Sequence, residues 1–406
     1  MSSTLAGVSG TNITVPFTDS GAAALATSLL AGLTTPTFYS PNIVTPPPAS
    51  ATTPLLVTSV AGGGSVPLIA LSSTGYTQLI NINTSTTSVI GGTGSETIIS
   101  GTGGLVFNTG GGSDTVVAGG GNNLINTGGG INNSAGRFST GSGSDTIIAS
   151  SGNNTITAGT GNNLIATGTG NNLITSQGAD TVIAGSGRDT VGVENAATVY
   201  GGSGQLTFIG GTGNSTVTAG TGSATIFGGA GGGSFSGGAS GSNIIFAGDG
   251  QSTIFAGGAN SLAVAAGSGA DTLVASAGNT TLSGGSSTGD NTYFAGSGNG
   301  VLIGGGVGND TIFAGRGEAT AFGGAGADTF AFFSSQTSGT SHTILIGDFT
   351  VGADALVISG YGVSASSLLS SQQTGNGSTT LTLPDGTRIV LAGVSSANTI
   401  NNLSVG

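Results

Sequence analysis

A phrase of nine residues recurs from about residue 91 to residue 333, half of it turn and half strand. It reads GTGSETIIS at 92–100, GSGSDTIIAS at 141–150, GTGNNLIAT at 159–167 and GNDTIFAG at 308–315. The Gly-x-Gly half suits a tight turn, because glycine reaches positive φ at no steric cost. The half that opens with Thr-Ile is β-branched and suits a strand. Nine residues hold one turn and one short strand, so two repeats close a coil and residues 18 apart stack. The expected fold is all-β, a parallel β-roll or β-solenoid of nine-residue repeats, two per coil. Between Glu96 and Phe330 the spacing gives about 13 coils, roughly 60 Å at the usual strand separation.

The core of such a stack is thin. The residue two after the Asp/Asn position points inward: Ile98, Val116, Ile125, Ile147, Ile156, Ile165, Ile174, Phe208, Val217, Ile226, Ile254, Leu273, Ile312 and Phe330. One side chain per strand is buried, and stacking makes the row continuous, so neighbours and caps are required.

Outside 91–333 the period lapses. Residues 1–50 carry no repeat and end in prolines 46–48, a linker or rigid extended turn, while 51–90 read as strand-rich lead-in coils. The apolar stretch 22–33 is too short to span a bilayer, which takes about 20 residues, and reads as a short helix packed on the rest of the molecule. Residues 334–406 read as a C-terminal β cap. Its strands are 344–349, 355–359 and a hairpin of 379–383 with 388–392 around Pro384-Asp385-Gly386.

Composition excludes several classes of chemistry. There is no cysteine or lysine and one histidine, His342, so thiolate, Schiff-base and multi-histidine zinc sites are absent. His342 reads as a surface-loop residue. Sixteen acids face four scattered arginines, for a net charge of -12, which leaves no stripe for nucleic acid. No catalytic constellation emerges, and we expect no enzyme. Only 5% of residues are charged, too few for a disordered chain of this apolar content. The first ten residues lack the positive start of a secretory signal peptide.

The repeat resembles the Gly-Gly-x-Gly-x-Asp-x-(large apolar)-x unit of the RTX family of bacterial proteins secreted by type I systems. The likeness is strongest at GGVGND (305–310) and GGAGAD (323–328). It implies a calcium-binding parallel β-roll and, within 334–406, an uncleaved secretion signal, hence an extracellular or cell-surface protein. Calcium requires six to eight oxygens, with carboxylates from stacked turns supplying charge. Two acid pairs fall 18 apart, Asp310 with Asp328 and Glu96 with Asp114. The expected calcium turns therefore hold Asp310 and Asp328 with Gly306, Gly308, Gly324 and Gly326, and more weakly Glu96 and Asp114. Most turns depart from the family pattern: Asn123, Asn154, Asn163, Asn172, Thr280 and Ala319 replace the aspartate. Asn154 and Asn172, 18 apart, are spaced for a metal-free amide ladder, with Thr146, Thr155 and Thr181 forming a similar hydroxyl ladder. Asp145, Asp180, Asp189 and Asp271 are expected to be solvated turn residues.

Residues just after the inward ones point outward. Phe255, Val274, Phe294 and Phe313 form one outer column; Ile209, Phe227 and Phe246 form another. On a surface almost without charge, such apolar columns point to an interface. The expected function is a secreted, non-enzymatic structural protein whose partner is itself, in a layer, fibre or biofilm matrix. The alternative is an adhesin-like module whose flat β faces bind polysaccharide or, less in keeping with the spacing, ice.

Overall fold

The structure, a computed structural model, describes residues 2–6, 12–16, 20–31, 37–39, 55–57, 68–71, 77–128, 135–337, 341–397 and 400–406. The prolines 46–48 lie outside the described residues. The chain divides into two compact units, 1–205 and 206–406.

In the first unit two parallel sheets face each other across a row of apolar side chains. One sheet stacks Gln78–Asn81, Thr97–Ser100, Thr115–Ala118, Arg137–Thr140, Thr155–Ala158 and Leu173–Ser176. The other stacks Thr87–Ile90, Leu105–Asn108, Leu124–Asn126, Thr146–Ala149, Leu164–Thr167 and Asp180–Ile183. Ile98 lies opposite Val116 and Ile156 opposite Ile174, each one coil on. The period is not fixed: Val116 lies opposite Phe138, and Ile165 opposite Val182, so turns absorb extra or missing residues while the strands keep register. Parallel stacking starts before the glycine repeat, at Thr37–Tyr39 on Leu55–Val57 and Leu55–Val57 on Gln78–Asn81.

Helix Ser20–Leu30 covers part of this unit's outer surface. Its Ala23, Ala26 and Leu30, with Val15 of the hairpin strand Asn12–Pro16, pack on Leu56, Ile80, Ile99 and Val117. These four are outward residues of successive strands, buried only because the helix lies on them. Each contributes about 1.5–3 kcal/mol on full burial. Past Val117 the column continues as Ser139, still buried, and then as Thr157 and Thr175, which are partly exposed.

The second unit repeats the arrangement. Phe208, Ile226, Ile245, Ala263, Leu282, Ile303 and Ala321 stack on one side, and Val217, Phe235, Ile254, Leu273, Tyr293, Ile312 and Phe330 on the other. All fourteen residues expected inward are buried. Stacking also runs past Phe333. Thr343–Ile346 pairs parallel with Ala319–Gly324, Arg388–Leu391 with Thr343–Ile346, and Ala355–Ser359 with Thr329–Phe333. Strand Ser378–Thr382 then pairs antiparallel with Arg388–Leu391, the hairpin read from Pro384-Asp385-Gly386, and Gln373–Gly375 adds a further antiparallel strand on its other side. His342 is not a surface residue: it is 5% exposed, at the head of the strand Thr343–Ile346, with its carbonyl accepting the Arg388 N–H. The hydroxyl ladder does not form as expected, because Thr146 stacks on Leu164, which in turn stacks on Thr181.

Candidate calcium turns and outer phenylalanine columns

Each Asp/Asn turn residue reaches back one coil. Its Oδ1 accepts the backbone N–H of the matching residue in the preceding turn: Asn123 N–H to Asp145, Asp145 to Asn163, and Asn163 to Asp180, at 2.8, 2.9 and 2.7 Å. A second column of the first unit runs from Gly136 to Asn154, Asn172 and Asp189. In the second unit Ser252, Asp271, Asn291, Asp310, Asp328 and Asp354 form one continuous column of the same bonds. Every member of these columns except Gly136 is a buried polar residue, which corrects the solvated reading of Asp145, Asp180, Asp189 and Asp271. Burial shifts several of them: desolvation pushes Asp145 and Asp189 up, and Asp271 up to about 6.

What lies behind the Oδ1 distinguishes an asparagine turn from an aspartate turn. The Asn Nδ2 donates to a glycine carbonyl two residues earlier, as in Asn123 to Gly121, Asn154 to Gly152, Asn172 to Gly170 and Asn291 to Gly289. It also donates to the next coil's acceptor, Asn154 to Asn172 Oδ1 at 3.0 Å and Asn172 to Asp189 Oδ1 at 2.8 Å, so the expected amide ladder is present. The amide nitrogen thus joins a carbonyl oxygen to a carboxylate or amide oxygen. Replace it by a carboxylate oxygen and acceptors face acceptors, which a cation or a proton must separate.

The turns of Asp310 and Asp328 have this form. Each is 1% exposed, and each Oδ2 is buried without a hydrogen-bond partner. The two are linked by the Asp310 N–H donating to Asp328 Oδ1 at 2.8 Å. Burial, then the Asp328 charge, holds Asp310 up at about 6, and burial raises Asp328 as well. The first glycine of each repeat keeps the space beside the orphaned oxygen open: a Cβ on Gly305 would come within 2.7 Å of Asp310 Oδ2, and one on Gly323 would strike Asp328 Oδ2. By position, the carbonyls corresponding to those of the asparagine turns belong to Gly308 and Gly326. Gly324 and Gly326 have φ of +92° and +149°, and a Cβ on either would collide with Gly306 or Gly308 of the preceding turn. Orphaned carboxylate oxygens, nearby carbonyls and a cradle only glycine leaves open are a donor set that fits calcium. The ion would supply the positive charge that the asparagine turns obtain from their amide.

Glu96 and Asp114 are brought together in the same way, the Glu96 N–H donating to Asp114 Oδ1 at 2.9 Å. The longer Glu96 side chain turns back so that Oε1 accepts the Gly92 N–H at 3.0 Å, and Oε2 has no hydrogen-bond partner. Burial, then the Asp114 carboxyl, pushes Glu96 up to about 8. A shared proton therefore serves this pair as readily as a metal. Among the described residues no group of three or more His, Cys, Asp or Glu side chains gathers round one point. Backbone carbonyls would have to complete any coordination.

One device was missed in the sequence. The residue just before the buried one is exposed and accepts in the opposite direction, from the following coil: Asn153 from the Asn171 N–H, Asn171 from Arg188, Asp290 from Asn309, and Asn309 from Ala327. The Asn-Asn doublets at 122–123, 153–154 and 171–172 were its visible signal.

The outer columns are in register as expected. Phe255 lies opposite Val274, Val274 opposite Phe294 and Phe294 opposite Phe313, despite insertions between coils. Ile209 lies opposite Phe227, and Phe227 opposite Phe246. Rings stack at 4.7 Å for Phe294 with Phe313 and 5.4 Å for Phe227 with Phe246. Phe255 and Phe227 are 46% and 43% exposed, while Phe246, Phe294 and Phe313 are partly buried. Phe294 and Phe313 edge a groove lined also by Ser297, Arg316, Ser335 and Gln336.

The family profile described as RTX calcium-binding nonapeptide repeat (4 copies) matches residues 106–133, 139–174, 159–191, 237–260, 265–302 and 304–331. The last match contains both Asp310 and Asp328; Glu96 precedes the first. No curated protein matches the chain.

Proposed function

We propose that this chain, which carries RTX calcium-binding nonapeptide repeats in multiple copies across 106–331, is a secreted, non-enzymatic structural protein that assembles on itself at the bacterial cell surface or in the extracellular matrix. The observation that carries the reading is the pair of outer aromatic columns in the second unit, stacked and partly exposed on a nearly uncharged surface. Contiguous apolar patches of this kind mark interfaces. A turn that offers two carboxylates and backbone carbonyls suits the weak calcium affinities of extracellular modules, about 10⁻⁴–10⁻³ M. Calcium at Asp310 and Asp328 would then hold the last turns closed outside the cell.

The test is Phe294→Ser with Phe313→Ser. Inward Tyr293 and Ile312 remain, so circular dichroism should match the parent, while ordered assemblies seen by electron microscopy should be lost. Both rings are partly buried already, so each gains less than full burial would give, about 1.5–3 kcal/mol, but the loss recurs at every repeated contact. Assembly like that of the parent would remove the columns from the interface. The groove beside Phe294 and Phe313, with Arg316 and Gln336 on its rim, favours one second reading, a polysaccharide site of aromatic and polar groups. Binding on a glycan array that the same double variant abolishes, with assembly intact, would select that reading.

A further inference from the structure

The position five residues before the buried turn residue differs among the turns. Alanine stands there before asparagine: Ala118 before Asn123, Ala149 before Asn154, Ala158 before Asn163. A hydroxyl stands there before an acid, in Thr109 before Asp114 and Thr140 before Asp145, and four residues ahead in the turn of Ser176 and Asp180. Glycine stands there before Glu96, Asp310 and Asp328, as Gly91, Gly305 and Gly323. Thr167 before Asn172, Ala184 before Asp189, Gly238 before Asn243, Ala266 before Asp271, Ser286 before Asn291 and Phe349 before Asp354 do not follow this pattern.

Ser176 and Asp180 show what the hydroxyl does. Ser176 is fully buried, and its Oγ donates to Asp180 Oδ2 at 2.6 Å. Asp180 Oδ1 accepts the Asn163 N–H and Nδ2 at 2.7 and 2.9 Å. Both carboxylate oxygens are therefore satisfied by the chain, whereas Asp310 and Asp328 each keep one oxygen orphaned beside a glycine. Thr140, also fully buried, makes no such bond: its Oγ1 and Asp145 Oδ2 both lack a hydrogen-bond partner.

We infer that in the turn of Asp180 the buried Ser176 hydroxyl stands where calcium would otherwise be needed, so that this turn closes without metal. The contrast with the second unit rests on the calcium reading of Asp310 and Asp328 given above. Whether this turn depends on calcium is then set by one residue, Ser176, that is fully buried.

Amide hydrogen exchange of the full chain in EDTA and in millimolar calcium tests this. In the parent, protection over 159–183 should be the same in both buffers, while protection over 304–331 should rise with calcium. Ser176→Ala should lose about tenfold protection over 159–183 in both buffers, since a methyl group fills the space without donating. Ser176→Thr, which keeps the hydroxyl, should retain it. Ser176→Gly should lose it in EDTA and regain it in calcium. Parent-like protection of Ser176→Ala in EDTA, or no calcium response from Ser176→Gly, overturns the inference. A parent whose 304–331 ignores calcium sinks the reading of Asp310 and Asp328 instead, and the Ser176 variants still decide the hydroxyl's part.

Discussion

At Asp271 the column of turn residues carries a carboxylate between Ser252 and Asn291, and no second acid adjoins it to share an ion. Desolvation raises it from 3.8 to about 6. Its folded form therefore holds a proton to higher pH than the unfolded chain does. The stability it contributes is fully present below about pH 3.8 and is lost as pH rises through about 6. Asp271→Asn should flatten that part of the stability curve and leave the variant more stable than the parent at neutral pH, by about 1–3 kcal/mol if its amide finds the carbonyl that asparagines use elsewhere. Paired chemical denaturation curves across pH 4–7 check this, and a constant difference between variant and parent would contradict it. The inward residues were legible from period alone, since Ile98, Ile165 or Phe330 has apolar character and a fixed offset from the turn. The buried acids were not. An aspartate in a glycine-rich turn looks solvated until the next coil is laid over it, and the coil spacing that would have shown this drifts with each insertion.

The turns form an element with its own rule. In the asparagine turns the side chain supplies both acceptor and donor, and in the turns of Asp310 and Asp328 it supplies acceptors alone. Asp328→Ala should therefore remove the calcium dependence of the second unit's stability, a gain of about 1.4 kcal/mol at ten times Kd. It should also lower stability without calcium, because Asp328 Oδ1 no longer takes the Asp310 N–H. The asparagine coils over 152–175 should be untouched. Calorimetry with and without calcium decides, and equal calcium stabilisation of parent and variant would place the ion elsewhere. Among the strands, the hairpin of Ser378–Thr382 with Arg388–Leu391 was legible because Pro-Asp-Gly is a strong turn signal. The parallel stacking of Thr343–Ile346 and Ala355–Ser359 was not, because Ala321 lies opposite Ile346 and Phe330 opposite Leu356, well beyond a nine-residue count. Only strand register survives such insertions, and register is a property of the assembled sheet.

For the whole molecule, the acidity of the sequence and the character of its surface are different quantities. Nine of the sixteen acids are buried in the turn columns: Glu96, Asp114, Asp145, Asp180, Asp189, Asp271, Asp310, Asp328 and Asp354. Most of the acids behind the formal net charge of -12 are thus interior carboxyls, hydrogen-bonded to backbone, protonated or open to metal, and few charges are left on the outer faces to hold two copies apart. Assembly driven by the phenylalanine columns should then respond weakly to monovalent salt. Raising it from about 0.01 to 0.15 M shortens the screening length from about 30 to 8 Å, which would greatly accelerate association between strongly repelling surfaces. Here light scattering should show nearly the same rate across that range, whereas Phe294→Ser with Phe313→Ser abolishes the signal at every salt concentration. A steep rise with salt in the parent would mean that exposed acids such as Glu194, Asp249, Asp290 and Glu318 set the encounter, and that apolar contact is secondary to charge.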